Sequence, residues 1–547
     1  MPHAKRSFAK GVPNPEIGNQ RLDSRSSTLR LVPEKRLLLS ILVLAALIRF
    51  TALSSYPNGL FRDEAAKGYT TWSLIETGRD LSGRTWPLQI KEFNAYTSPF
   101  YHWFSIPFIS GIGLTVFSTR LVAALAGTLA CWAIFLCGRS MFGKEAGLWA
   151  ALLLALSPWH LLFSRWANQG ILMTLFIPLA LWLTWRCVER NGGKDRFPWK
   201  WAIPACVAWA VAWNCYAPGR LFVPLLLLAI LIIEAFNRED RKRHVISVVA
   251  VGVGTLVLIT PFLANLLLNW EETQTRMARV IGDSPFDPLV FLRSYLLHWS
   301  PEFLFVEGDA NPRHHITGFG QLTIAESLAC FLGIVAVATA RSRVSCWLLM
   351  WLLLAPVPAA LTNEGLPHAL RTLMIIPAFA LLGGWGIGCF ANRLPARSAL
   401  WGRTTILTLV AVQGVVTLYF FFFAYPRESG VHWDAGFLEA VELVEDHRSA
   451  EETCLVSGQI AFPWAAVAFV TKPDPQTIQE GKEIPGYAFE ETRKSINPMA
   501  YPDVDYFIVR PGEMGRIPEW WNQIGLKEPD KPPYWDVYRS SGVRSNN

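Results

Sequence analysis

Apolar runs recur along the chain at intervals too regular for a soluble core, separated by short polar connections. They lie at Leu37 to Leu53, Leu121 to Leu136, Leu148 to Phe163, Ile171 to Trp185, Trp201 to Trp213, Leu221 to Ile233, Val245 to Leu267, Ile324 to Ala338, Cys346 to Leu361, Leu373 to Phe390 and Thr405 to Phe423. With flanking residues each approaches bilayer thickness, which predicts about eleven transmembrane helices. The run from Phe100 to Phe117 differs. Pro107, Gly111 and Gly113 interrupt it, and Tyr101, His102 and Trp103 suit a juxtamembrane helix lying along the interface. After Phe423 the sequence turns polar and proline-rich. There Gly436 to Val444 has the pattern of an amphipathic helix, and Thr453 to Ser457 and Tyr506 to Val509 those of short strands.

Charge gives the ladder a direction. Arg139 and Lys144, then Arg186, Arg190, Lys194, Arg196 and Lys200, then Arg238, Arg241, Lys242 and Arg243, then Arg341 and Arg343, then Arg393, Arg397 and Arg403 fall in alternate connections. By the positive-inside rule these are cytoplasmic, provided Phe100 to Phe117 does not cross. The basic tail, residues 1–36, is then inside. Residues 37–425 form the transmembrane part, and 426–547 form a small exterior α/β domain in an otherwise all-α polytopic membrane protein. The location that follows is a cell (inner) membrane, multi-pass, with the N-terminus cytoplasmic and the C-terminal domain outside.

Composition agrees: 52% hydrophobic and 17% charged residues, with a mean hydropathy of +0.27. A net charge of +7 could suggest nucleic acid, but the basic residues sit in the connections between spans, which argues for orientation in a membrane and against nucleic-acid binding. Of nine cysteines, only Cys454 falls in the polar C-terminal region. No disulfide framework and no CxxC metal pattern is available.

Every polar motif of chemical interest falls on the exterior face. Asp63 and Glu64 leave the first apolar run together, at the start of a helix-like stretch closed by Gly78. Adjacent helical side chains diverge by about 100°, so the pair divides into one general base and one supporting residue. The same pattern also suits an N-cap at Asp63 with Glu64 favouring the helix dipole. Arg165, Arg220, Arg313 and Arg371, with the histidines beside them, make a cationic rim suited to a phosphate-containing lipid. Tyr216, Asp309, His314, His315 and His368 complete the candidates. His314 and His315 raise metal binding, with Glu92, His102 and His368 as further contributors in space. No ligand-spacing motif supports a required metal, so the expected metal set is none, with a divalent ion left open.

These motifs resemble the membrane-embedded GT-C glycosyltransferases, specifically the family of protein O-mannosyltransferases and lipid A aminoarabinose transferases. The resemblance rests on Gly59-Leu60-Phe61-Arg62-Asp63-Glu64, Ser98-Pro99-Phe100-Tyr101-His102-Trp103, Thr119-Arg120-Leu121, Phe163-Ser164-Arg165, Tyr216-Ala217-Pro218-Gly219-Arg220, the loop from Gly308 to His315, and Pro367-His368-Ala369-Leu370-Arg371. It implies a polyprenyl-phosphate sugar as donor, a protein or glycolipid as acceptor, Asp63 at the catalytic acid-base position, and no required cofactor. Where aminoarabinose transferases tend to carry Glu-Lys-Pro-Pro, this chain has Tyr96-Thr97-Ser98-Pro99. The Asn269 to Gln321 stretch is too short for the β-trefoil insertion of eukaryotic members.

The expected reaction is an inverting single displacement. Asp63 takes the acceptor hydroxyl's proton while arginines receive the departing lipid phosphate. An aminoarabinose-type transferase acting on lipid A and a lipid-linked-sugar flippase are the rival readings. A flippase should carry polar or broken segments near the midplane, whereas here the polar motifs gather at one face.

Overall fold

The computed structural model describes residues 34–541 apart from 94, 192–196, 239, 271–285, 341, 364, 491–494 and 526–533. Most of the basic tail, together with Lys194, Arg196, Arg341, Glu364 and residues 271–285 of the long connection after Leu268, falls among the residues that are not described.

Each apolar run becomes a helix. Among the described residues seven stretches are long and apolar enough to cross a membrane: Val116–Met141, Gly170–Arg190, Gly219–Phe236, Arg241–Leu268, Arg343–Ala360, Leu373–Arg393 and Ala396–Trp433. The other expected spans are shorter. Glu34–Phe50 and Ile324–Ala340 have 17 residues and Trp199–Asn214 has 16. The run ending at Phe163 splits into Lys144–Leu156 and Pro158–Phe163. Pro158 has no N–H to return to Leu154. The buried Arg49 of the first helix serves the freed carbonyls instead, donating to Leu154 at 3.3 Å and Ala155 at 3.1 Å.

Small residues let the central helices touch. A Cβ on Gly386 would lie 2.2 Å from the backbone nitrogen of Gly333, so helices Ile376–Arg393 and Ile324–Ala340 pack backbone to backbone, as small-residue faces allow in membranes. The Phe100–Ile112 helix, with Pro107 inside it, has 13 residues. That reaches about 20 Å, short of the ~30 Å hydrocarbon core, and fits an interfacial lie.

Strands β1 (Ile90–Glu92) and β2 (Ala95–Thr97) pair antiparallel in the connection before helix Phe100–Ile112, and the C-terminal region is an α/β unit. Its five strands run in the order β4 (Tyr487–Phe489), β3 (Cys454–Val456), β5 (Tyr506–Val509), β7 (Asp536–Ser540), β6 (Trp521–Ile524). Strand β3 is parallel to both neighbours, whereas β7 runs antiparallel to β5 and β6. Helix Phe437–His447 forms where the amphipathic pattern predicts it. The last apolar run continues helically to Trp433. Tyr425 and Trp433 belong to the bundle core, and Phe437 to the core of the C-terminal unit. The change from one packing cluster to the other falls between Trp433 and Phe437.

Helix Arg62–Thr77 packs into the core of the C-terminal unit, and its first turn is tied to helix Val116–Met141 through Glu64 and Arg120. Ala65, Ala66 and Tyr69 pack with Val441, Val467 and Phe469 of the C-terminal unit. The Tyr69 hydroxyl donates to the Pro473 carbonyl at 2.8 Å, and Gln479 donates to Ser73 and Thr77 at 3.0 Å. The carboxylate-bearing helix is thus fixed from both sides.

Candidate active site

Helix Arg62–Thr77 starts after the extended Phe61 and stops at Gly78, whose φ of 67° reverses the chain. Asp63 and Glu64 occupy its first turn, where negative charge meets the positive end of the helix dipole. The residue in the N-cap position is Phe61, so Asp63 does no capping. The two carboxylates point apart, as helical geometry requires.

Glu64 turns inward and is fully buried. Arg120, also fully buried, donates Nε to one carboxylate oxygen and Nη2 to the other, each at 2.9 Å, and the Ala167 N–H donates at 2.8 Å. The remaining Arg120 donors go to the carbonyls of Leu53 at 3.1 Å and Pro57 at 3.0 Å. A buried charge is tolerated only when paired and saturated, and here it is. Glu64 with Arg120 therefore ties the loop before Asp63 to helix Val116–Met141. Both its oxygens are taken by these donors, which suits the supporting half of the expected pair.

Asp63 turns outward. Its side chain is 42% exposed, 3.8 Å from Arg62 Nε. Arg313, from the 308–315 loop, stacks its guanidinium 3.6 Å from the centre of the Phe61 ring. Burial lowers the pKa of Arg313, and Asp63 and Asp434 counter that by favouring its charge. Asp434 reaches the same place from the end of the last helical run, with Arg510 at 3.6 Å. Its carboxyl is raised to about 6 by burial, against the opposing pull of Arg510, Arg62 and Arg313. Trp433 beside it packs edge-on to Phe61 and Trp166 and donates its indole N–H to Tyr425 at 2.9 Å.

One turn after Asp63, Lys67 sits buried, 3.3 Å from Glu92 and 3.4 Å from the Asp63 carbonyl. His102 lies 3.4 Å from the other Glu92 oxygen and 3.2 Å from the Thr71 hydroxyl. Burial pushes the Glu92 carboxyl up, but Lys67 and His102 outweigh it and hold it at about 2. Glu92 and His102 thus form a cluster with Lys67 rather than with His314 and His315.

Arg165 is employed elsewhere. It is fully buried and donates to the carbonyls of Ile48, Arg49, Thr51 and Ala52 at 2.7 to 3.0 Å. The carbonyls of Ile48 and Arg49 belong to the last turn of the first helix, where acceptors need outside partners, and those of Thr51 and Ala52 to the turn that follows it. The structure spends its donors there, not on the expected lipid phosphate. Tyr216 stands in the turn before helix Gly219–Phe236, and Arg220, in the first turn of that helix, donates to Asn214 at 3.3 Å.

Asp309, His314 and His368 come together although two loops carry them. His314 Nδ1–H donates to Asp309 Oδ2 at 3.0 Å, and His368 Nδ1 lies 4.0 Å from the same oxygen. Burial lowers the pKa of His314 despite Asp309, and lowers that of His368 to about 2, with His314 and Arg371 adding to it. Arg371, from the same loop as His368, donates Nη1 to Thr362 at 2.7 Å. His315 is partly exposed beside them. These three ligand atoms, within 4.8 Å of one another, could hold a metal ion.

Arg120, Lys67 and Asp434 were not among the expected site residues. Arg120 opens a span, where a charge signals a buried partner. Lys67 follows Asp63 at the i+4 spacing of a helix face. Asp434 carries no local signal.

The fold is that of a polytopic helical membrane protein with a small α/β unit at its C-terminal end. Residues 97–264 match the family model described as dolichyl-phosphate-mannose-protein mannosyltransferase. Among curated proteins none matches the chain in sequence. The chain is similar to the crystal structure of ArnT from Cupriavidus metallidurans bound to undecaprenyl phosphate, at 14% identity, a TM-score of 0.57, and 92% and 97% coverage of the two chains. It is also similar to the oligosaccharyltransferase of Archaeoglobus fulgidus in the apo form, at 14% identity and a TM-score of 0.56, covering 89% and 70%. The same organism's AglB, in complex with an inhibitory peptide and a dolichol-phosphate, matches at 14% identity and a TM-score of 0.54, covering 87% and 69%. At such identities the likeness establishes the fold.

Proposed function

We propose that the protein is a glycosyltransferase that moves a sugar from a polyprenyl-phosphate donor to an acceptor hydroxyl, on a protein or a glycolipid, at the exterior face of a cell membrane. The observation that carries this reading is the division of labour at the start of helix Arg62–Thr77. Glu64 is saturated by Arg120, while Asp63 stays half-open beside Arg313. An accessible carboxylate next to a cation is what general-base attack with an anionic leaving group requires. The similar ArnT and AglB structures hold undecaprenyl phosphate and a dolichol-phosphate, which supports a lipid-phosphate donor.

In this mechanism Asp63 removes the acceptor hydroxyl's proton as the oxygen attacks the anomeric carbon. The carbon–phosphate-oxygen bond breaks and its electron pair leaves with the lipid phosphate, which Arg313 and Arg371 receive. Glu64 holds the loop, and a single displacement inverts the anomeric centre. The C-terminal unit lies outside and the N-terminus inside, by the charge of the connections.

Purified protein incubated with synthetic short-chain polyprenyl-phosphate sugars and candidate acceptors should yield a glycosylated acceptor of inverted configuration by NMR. Retention would remove the single-displacement mechanism. Translocation of the lipid-linked sugar in proteoliposomes with no transfer to any acceptor would favour a flippase.

A further inference from the structure

We propose that Asp309, His314 and His368 form a binding site for a zinc-like divalent cation, which clamps the 308–315 loop to the 365–371 loop. The donor set is one carboxylate and two imidazoles, a set that takes zinc and leaves a fourth position open. All three side chains are largely buried, at 4%, 6% and 14% exposure. Tetrahedral ligands at zinc distances stand about 3.3 Å apart. The present separations from Asp309 Oδ2, 3.0 Å to His314 and 4.0 Å to His368, bracket that value.

The surroundings hold these ligands as outer partners hold those of metal sites. Asp309 is oriented by two backbone N–H groups, from Asn311 on one oxygen and Ala369 on the other, at 2.8 and 2.7 Å. The His368 N–H donates to His298 Nε2 at 3.1 Å, and His298 Nδ1 donates to the Ser294 carbonyl at 2.8 Å. His314 stacks on His368 with ring centres 5.0 Å apart and on Phe163 at 5.6 Å. Binding is balanced by proton release. The proton now on His314 Nδ1 leaves to solvent and the nitrogen's lone pair goes to the cation.

Arg313 and Arg371 oppose a dication at this place, and Asp309 cancels one of its charges. The net positive charge that remains would draw an anionic headgroup toward the same face. The clamp also has a mechanical role. Arg313 adjoins one ligand in sequence and Arg371 follows another by three residues, so fixing the ligands fixes both arginines.

The test reads metal, not turnover, so a wrong donor assignment cannot affect it. Full-length protein in detergent is stripped with a chelator, reloaded with Zn2+, desalted and assayed by elemental mass spectrometry. The wild type should retain about one zinc per chain, and Co2+ loading should give the visible absorption of a low-coordinate site. Asp309→Asn and His368→Ala should fall to background, while His315→Ala should match the wild type. His368→Cys keeps a ligand and should recover binding, which separates ligand loss from misfolding. No zinc above the buffer blank in monodisperse wild type, or full occupancy in both Asp309→Asn and His368→Ala, would overturn the site and leave a hydrogen-bonded clamp.

Discussion

The guanidinium of Arg313 lies 3.6 Å from the centre of the Phe61 ring, two residues before the outward-facing Asp63. A cation over an aromatic face is held without consuming its N–H donors, so the stack positions Arg313 while leaving its planar fork for a ligand. Lysine keeps the charge but loses both the fork and most of the stack. Arg313→Lys should therefore weaken the donor by roughly 1–3 kcal/mol in apparent binding or turnover, about as much as Arg313→Ala. Kinetics with two donors differing only in sugar would check it. A change in sugar preference, with unchanged binding of bare polyprenyl phosphate, would move Arg313 to the sugar pocket.

Asp63→Asn should lower transfer by about 100- to 10,000-fold, the usual contribution of a general base. Because Phe61 occupies the N-cap position and Asp63 caps nothing, the folded state should be almost unaffected. Turnover and thermal unfolding measured on the same preparation separate the two. Near-normal turnover would remove Asp63 from the chemistry.

Arg120→Leu leaves the Glu64 carboxylate buried and deprived of its charged partner. The expected loss is about 3–5 kcal/mol of stability. Glu64→Gln with Arg120→Leu should cost less than the sum of the single changes, because neither then strands a charge. Additive losses in denaturant unfolding would mean that the pair is not coupled.

Asp434 gives a pH signature. Its native pKa is raised to about 6, so the folded protein binds the proton more tightly than the unfolded chain does. The stabilisation from protonated Asp434 is complete below the unfolded value, about 4, and is lost as pH rises through about 6. Asp434→Asn mimics the protonated form. It should raise the unfolding temperature at about pH 8 and change it little at about pH 4. A gap that does not vary with pH would contradict the raised carboxyl.

Orientation is testable by thiol labelling, but not at the natural cysteine of the C-terminal unit. Cys454 is fully buried in β3. Met499, 63% exposed, is the better site. In an otherwise cysteine-free protein, Met499→Cys should react with an impermeant reagent in intact cells or spheroplasts. Reaction only after permeabilisation would invert the ladder.

The divergence of Asp63 and Glu64 was legible because it needs only the 100° step of a helix, and the apolar runs were legible because lipid demands their length. The fate of the arginines was not. Arg165 and Arg313 are the same residue type on the same face. The donors of one are consumed by the carbonyls of Ile48 and Arg49, more than a hundred positions away in the chain, while the other is held over the Phe61 ring. Nothing local distinguishes an arginine that will meet a helix end from one that will meet a ligand. Strands β4, β6 and β7 escaped for another reason. At three to five residues, they are too short to display a period, and their pairing is decided by the rest of the sheet.

Gly59 has a φ of 97°, and a Cβ there would lie 2.4 Å from the Trp433 carbonyl oxygen and 2.8 Å from the Ala435 backbone. The approach to Asp63 is thus seated directly on the chain that leaves the last membrane helix. In order of synthesis, Asp63 emerges among the first residues and the surface it rests on among the last. A nascent chain holds its carboxylate long before it holds Asp434, Trp433 or the seat for Gly59, so the face that carries Asp63 is assembled only when the final helix and the C-terminal unit have packed against the first loop.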